Sequence, residues 1–191
     1  MGKGRMEAFT DGVIAIIITI MVLEVKVPQG ADVAALQASL PVFLAYVLSY
    51  INVGIFWNNH HHMLHATERI DGRVLWANLF LLFWLSLVPF VIRWMGETGL
   101  TALPTAAYGV VLAMAAIGYT LLQGAIVACG GRTSTLAAAV GSDLKGKLSL
   151  GIYIAAIPLA FVSPWIAAAL YVVVALIWFV PDRRIESVVK P

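Results

Sequence analysis

Cysteine is almost missing from this chain. Cys129 stands alone among 191 residues, so no intrachain disulfide can form and no thiolate cage can hold a metal. Charged residues are also few, 12% of the chain with a formal net charge of +2, which excludes a reading built on nucleic-acid binding. No glycine-rich phosphate loop follows a strand, no nucleophile elbow occurs, and no pair of carboxylates lies deep within an apolar run. Those absences leave no enzyme class selected. Internal repeats, low-complexity segments and a separate soluble domain are lacking too.

What fills the chain instead is apolar sequence. Hydrophobic residues make up 61% and the mean hydropathy is +0.92, far above the level of a soluble domain. The first stretch sets the pattern: Arg5 to Asp11 is a charged entry, and Gly12 to Leu23 is an apolar run. Glu24, Val25, Lys26, Val27 and Pro28 then give a charged exit and a stop. Met6 to Val25 is roughly 20 residues, enough at about 1.5 Å each to cross a hydrocarbon core about 30 Å thick. Leu23-Glu24-Val25-Lys26 offers no small-residue cleavage site, so the stretch reads as a span and not a leader.

Taken in order, the pattern predicts an all-α integral membrane protein with six transmembrane helices in a single domain, 1–191. A polar loop is expected over Gln29 to Ser39, with Pro41 in the first turn of a second span that runs to Leu64. Further spans are expected over Leu75 to Trp94, Thr105 to Ala128, Leu148 to Val162 and Trp165 to Val180. Leu136 to Val140 suggests a short interfacial helix, and Asp182 to Pro191 a charged tail. Gly109, Ala113, Ala116 and Gly118 could let helices approach closely. Trp76, Trp94, Trp165 and Trp178 fall near span ends, as interfacial anchors should.

Orientation follows from the basic residues. With both termini cytoplasmic, Lys3, Arg5, Arg69, Arg73, Arg132, Lys145, Lys147, Arg183, Arg184 and Lys190 lie inside, and only Lys26 and Arg93 outside. Ten against two satisfies the positive-inside rule and requires an even number of spans. A multi-pass protein of the cell membrane is expected, with the lipid bilayer as a partner.

Ionisable groups at the membrane edge are functional candidates, because each is costly there unless paired. Arg5 and Asp11 flank Phe9 and Thr10 at the inner end of the first span. The second span ends on the same side with Trp57, Asn58, Asn59, His60, His61 and His62, and Asn78 opens the third. A polar network over three helices at the inner leaflet would satisfy all of them. Helix-start preference is the plainer account of Glu7 and Asp11. His61 and His65 are one turn apart, but no carboxylate completes a ligand pattern, so structural hydrogen bonding is preferred over proton sensing and metal binding, and no metal site is assigned.

Ile16, Ile20 and Leu23 share one face of the first helix, with Gly12 and Thr19 beside them. Such a stripe packs against lipid, against another helix, or lines a pore. No T-V-G-Y-G-like segment occurs, so a carbonyl filter is excluded.

Arg5-x-x-x-Phe9-Thr10-Asp11, followed by Gly12-Val13-x-Ala15-Ile16-x-Ile18-Thr19 and Val22-Leu23-Glu24-Val25, resembles the first helix of the bacterial "transmembrane protein 175" potassium channels. These are relatives of the endosomal–lysosomal potassium channel. Thr10 stands where the family signature R-x-x-x-F-S-D has Ser, keeping the hydroxyl. Phe56-Trp57-Asn58-x-His60-His61, Asn78-Leu79 and Pro89-Phe90 are similar as well. The resemblance implies a homotetramer whose first helices surround a central pore for K⁺, with no cofactor. Ile16, Ile20 and Leu23 would then form apolar constrictions, with Thr19 a hydroxyl ring near them. Arg5, Asp11 and the His, Trp and Asn groups would hold the first helix in place. Glu24, Asp32 and Glu97 are candidates to concentrate cations at the outer mouth. Two alternatives stay open: a secondary transporter, for which Gly109, Gly118 and Pro158 could break helices, and a membrane metalloenzyme built on the histidines.

Overall fold

The first helix, α1, spans Lys3–Leu23 in a computed structural model that describes residues 2–67, 69–130 and 143–179. The expected interfacial helix at 136–140 and the tail from 182 lie outside the described residues, as do Arg132, Arg183, Arg184 and Lys190.

After the loop that carries Pro28, α2 covers Val33–His65. It starts well before the expected boundary. The Asp32 carboxylate accepts from the Ala35 backbone N–H at 2.8 Å, a helix cap, and Val33 to Leu40 is rich in good helix formers. Pro41 therefore sits inside the helix and not in its first turn. With 33 residues, α2 is about 50 Å long and outreaches the hydrocarbon core, so it tilts or projects.

The third span is two helices, α3 over Gly72–Ser86 and α4 over Val88–Thr98. Asp71 caps α3, accepting from the N–H groups of Arg73 and Val74. The break at Leu87 has a plain cause: Pro89 has no N–H for the carbonyl four residues back, and its ring crowds that carbonyl. Gly99 then ends α4 at φ 73°, a conformation that favours glycine.

Three more helices lie among the described residues: α5 at Ala102–Gly130, α6 at Leu144–Val162 and α7 at Pro164–Phe179. Counting α3 and α4 together, five segments among the described residues are long and apolar enough to cross a membrane. The sixth, α7, is apolar but shorter, at 16 residues.

Helix α5 is the axis of the bundle. It packs along α3 on one side and along α6 on the other, while α6 packs against α7. Small residues make this possible, since lipid supplies no hydrophobic push between helices and close backbone approach must hold them. At Gly118 an added Cβ would lie 2.9 Å from the Leu81 Cα. Tyr171, on α7, fills the space over Gly109 and donates its hydroxyl to the Thr105 carbonyl at 3.0 Å. Trp76 and Trp165 are exposed, as anchors should be. Trp178 instead turns inward and donates to Ser149 Oγ at 2.8 Å.

Helix α1 stands apart from that axis and packs on α2, α3 and α4. Gly118→Ala tests the α3–α5 contact. It is expected to cost about 1–3 kcal/mol through overpacking and to lower the melting temperature of purified protein. Gly124→Ala, which meets nothing within 4 Å, should leave it unchanged or raise it.

Candidate functional site

The two faces of α1 differ sharply. Met6, Thr10, Ile14, Ile17 and Met21 are buried, a stripe at near four-residue spacing. On the far side Ile16 is 59% exposed, Ile20 40% and Leu23 81%, and Phe9 and Val22 are exposed with them. Gly12 and Thr19 lie open on this side too. Thr19 donates its hydroxyl to the Ile16 carbonyl at 2.9 Å, leaving its oxygen lone pairs outward. Ile16 and Ile20 also border an open groove, with Pro89 and Phe90 on its opposite wall.

A buried hydrogen-bond chain crosses three helices near the inner end of α1. Asn78 Nδ2 on α3 donates to Thr10 Oγ1 on α1 at 2.9 Å. Its amide oxygen lies 2.9 Å from His60 Nε2 on α2. With the amide nitrogen committed to Thr10, that ring nitrogen must carry the proton and donate. All three side chains are buried.

Beside this chain, α1 and α2 meet in a ladder at four-residue intervals. Lys3 Nζ donates to the His65 carbonyl at 3.3 Å. His61 Nδ1 lies 3.6 Å from Glu7 Oε1, an ion pair when the ring is protonated. Trp57 Nε1 donates to Asp11 Oδ1 at 2.8 Å, and its ring stacks on His61. The residue numbers in each pair sum to 68, the mark of one antiparallel register. Sequence reasoning missed Lys3, Glu7 and His65 as members; the matching spacings in α1 and α2 carried the signal.

Thr10, Asp11, Trp57, His60, His61 and Asn78 are thus brought together. Arg5 and Asn58 are not: both are exposed, and their side chains bond to no described residue. Arg5 lies two residues from both Lys3 and Glu7, about 200° round the helix from each, on the side away from α2. His61 and His65 pack ring edge to ring face at 5.2 Å.

The outer end of α1 is tied by charge. Arg93 Nε on α4 lies 3.5 Å from Glu24 Oε2 and 3.2 Å from Glu97 Oε1, and Lys26 Nζ lies 3.7 Å from Glu97. Two acids face two bases here, so Glu24 and Glu97 are neutralised locally, and Asp32 is a helix cap. The structure gives these three carboxylates structural partners, which weakens the cation-concentrating expectation.

A helical bundle with apolar outer faces and a buried polar lock is the architecture of a multi-pass membrane protein, and the relatives of this chain put it in the ion-channel class. The family described as "Endosomal/lysosomal potassium channel TMEM175" matches residues 5–89. A potassium channel of Chryseobacterium sp. (strain P1-3) is 52% identical over 190 residues, covering all of this chain and 99% of that protein. A potassium channel of Streptomyces collinus is 30% identical over 188 residues, covering 88% of this chain and 91% of that one. The crystal structure of a lysosomal potassium-selective channel TMEM175 homolog from Chamaesiphon minutus superposes with a TM-score of 0.79 at 28% identity, covering 94% of this chain and 97% of that one. This chain belongs to the TMEM175 family. The sequence resemblance and the exclusion of an enzyme both stand.

Asn78→Leu removes the hub of the buried chain and strands both Thr10 and His60. Each orphaned group costs about 1–3 kcal/mol, so a large drop in melting temperature is expected. Asp11→Ala breaks one exposed bond and should cost less, within about 1 kcal/mol. Thermal melts of both variants check the order; equal losses would contradict it.

Proposed function

We propose that this chain is the subunit of a potassium-selective channel of the cell membrane. Four copies place the exposed face of α1 around a central axis, and both termini are cytoplasmic. One observation carries the reading: α1 is fixed on its buried face, yet presents Ile16, Ile20 and Leu23 as an unpartnered apolar ladder. The names of its potassium-channel relatives, over nearly their whole lengths, supply the ion.

In such a tetramer, each exposed residue becomes a ring of four. A narrow apolar ring excludes water, and with it hydrated ions, until it widens, so Ile16, Ile20 and Leu23 act as gates by dewetting. Isoleucine offers no atom to replace a hydration shell. The Thr19 ring does: its hydroxyl proton is spent on the Ile16 carbonyl, so its oxygens face the axis as acceptors. No re-entrant loop takes part. Arg5 and Phe9 lie exposed at the inner entrance, where they meet neighbouring copies or headgroups.

Ile16→Asn places four amides in the constriction. Potassium flux from liposomes should rise severalfold, and the preference for K⁺ over Na⁺ should fall. Ile17, one residue round the helix and 3% exposed, is the control. There Asn should cost on the order of 2–4 kcal/mol of stability with ion preference kept in whatever protein folds. Unchanged selectivity in Ile16→Asn at matched incorporation would contradict the pore assignment.

A further inference from the structure

Away from α1, helices α2, α5, α6 and α7 line a partly open cavity of about 40 Å³. A water's centre needs about 10–15 Å³ of free space, so there is room for about three waters, or about 90 Å³ of displaced liquid. Phe56, Tyr119, Tyr153 and Trp178 form aromatic wall. Polar residues line the same space with hydrogen-bonding capacity to spare. Tyr153 is 3% exposed, yet its hydroxyl bonds to no described residue. The Asn59 side-chain amide is likewise free, while its backbone carbonyl accepts from Tyr119 at 3.3 Å. Asp143, half-buried, lines the cavity where α6 begins. Its carboxylate accepts from the Gly146 N–H at 3.2 Å and has no ion-pair partner among the described residues.

We propose that this cavity binds a short-chain primary ammonium, either a free amine or the ammonium of a lipid headgroup. Asp143 supplies the countercharge. The three N–H donors of the ligand meet acceptors of three kinds: carboxylate, carboxamide and phenol oxygen. Aromatic faces favour a cation through their negative π-surfaces and also cover its carbon tail. A chain of three or so carbons fills the available volume. A bare alkali ion would face ring carbons over most of the wall. The site is separate from the proposed pore face and does not depend on it.

The test is calorimetric titration of the full chain, purified in lipid-free detergent, with propylammonium chloride, and in parallel with 1-propanol, a neutral molecule of the same length. Saturable binding of propylammonium and none of 1-propanol is expected. Asp143→Asn keeps the cap and suits the left-handed φ of 38° at that position. It should weaken binding at least about tenfold, and Tyr153→Phe about threefold, since each removes one partner of the ammonium. Ile16→Asn should bind as the natural chain does. Repeating the titration in nanodiscs separates the sources. Competition by phosphatidylethanolamine but not phosphatidylglycerol marks a headgroup, and equal affinity in both marks a free amine. No saturable heat, equal binding of 1-propanol, or unchanged affinity in both Asp143→Asn and Tyr153→Phe would overturn the proposal. Loss of binding in Ile16→Asn alone would move the amine to the central axis and overturn it as well.

Discussion

A carboxamide without partners inside a bilayer costs several kcal/mol, and Asn78 is buried between three helices. It escapes that cost only while Thr10 stands on one side and His60 on the other. Side-chain hydrogen bonds are directional, so α1, α2 and α3 can satisfy it in one register alone. The ladder from Lys3–His65 to Asp11–Trp57 repeats the same register at the surface. Its exposed pairs are individually weak, and its value is that they agree with the buried hub. At the other end, Arg93 holds Glu24, the residue after α1.

The consequence is an asymmetric helix. One face of α1 is committed to its own subunit at both ends, and the other, from Phe9 through Leu23, is free and apolar. A helix held this way can present an unpartnered face to an axis without drifting. The fixings also differ in kind. The buried lock at the inner end is built from uncharged side chains, while the outer one is ionic and exposed, so salt screens the outer end more strongly. Small movements of α1 therefore have an easier pivot at the inner end than at the outer.

Much of this was legible in the residues, and the rest failed for local reasons. Apolar run length located five segments long enough to span, because a bilayer imposes a length, and α7 as a shorter apolar helix. The grouping of Thr10, Asp11, Trp57, His60, His61 and Asn78 followed from depth alone, since polar groups at one membrane edge must find each other. Partner identity did not follow. Arg5 and Asp11 share the inner end of α1, yet Asp11 accepts from Trp57, because residues six apart point about 120° away from each other round the helix. Pro41 was read as a start signal when Asp32 already supplied a stronger one. The break at Leu87 was hidden inside a run that stays apolar across Pro89. The cavity beside Tyr153 had no sequence signal at all, as its wall comes from four separate spans.

The central claim is that Ile16 and Ile20 face the permeation path and Ile17 does not. Cys129 is the only native thiol, so replacing it with alanine gives a clean background for single cysteines at positions 16, 17 and 20. A small charged thiol reagent, applied during potassium flux from liposomes, reads the face directly. Block at 16 and 20, with none at 17, is the predicted result; block at 17 with 16 and 20 unaffected would contradict it.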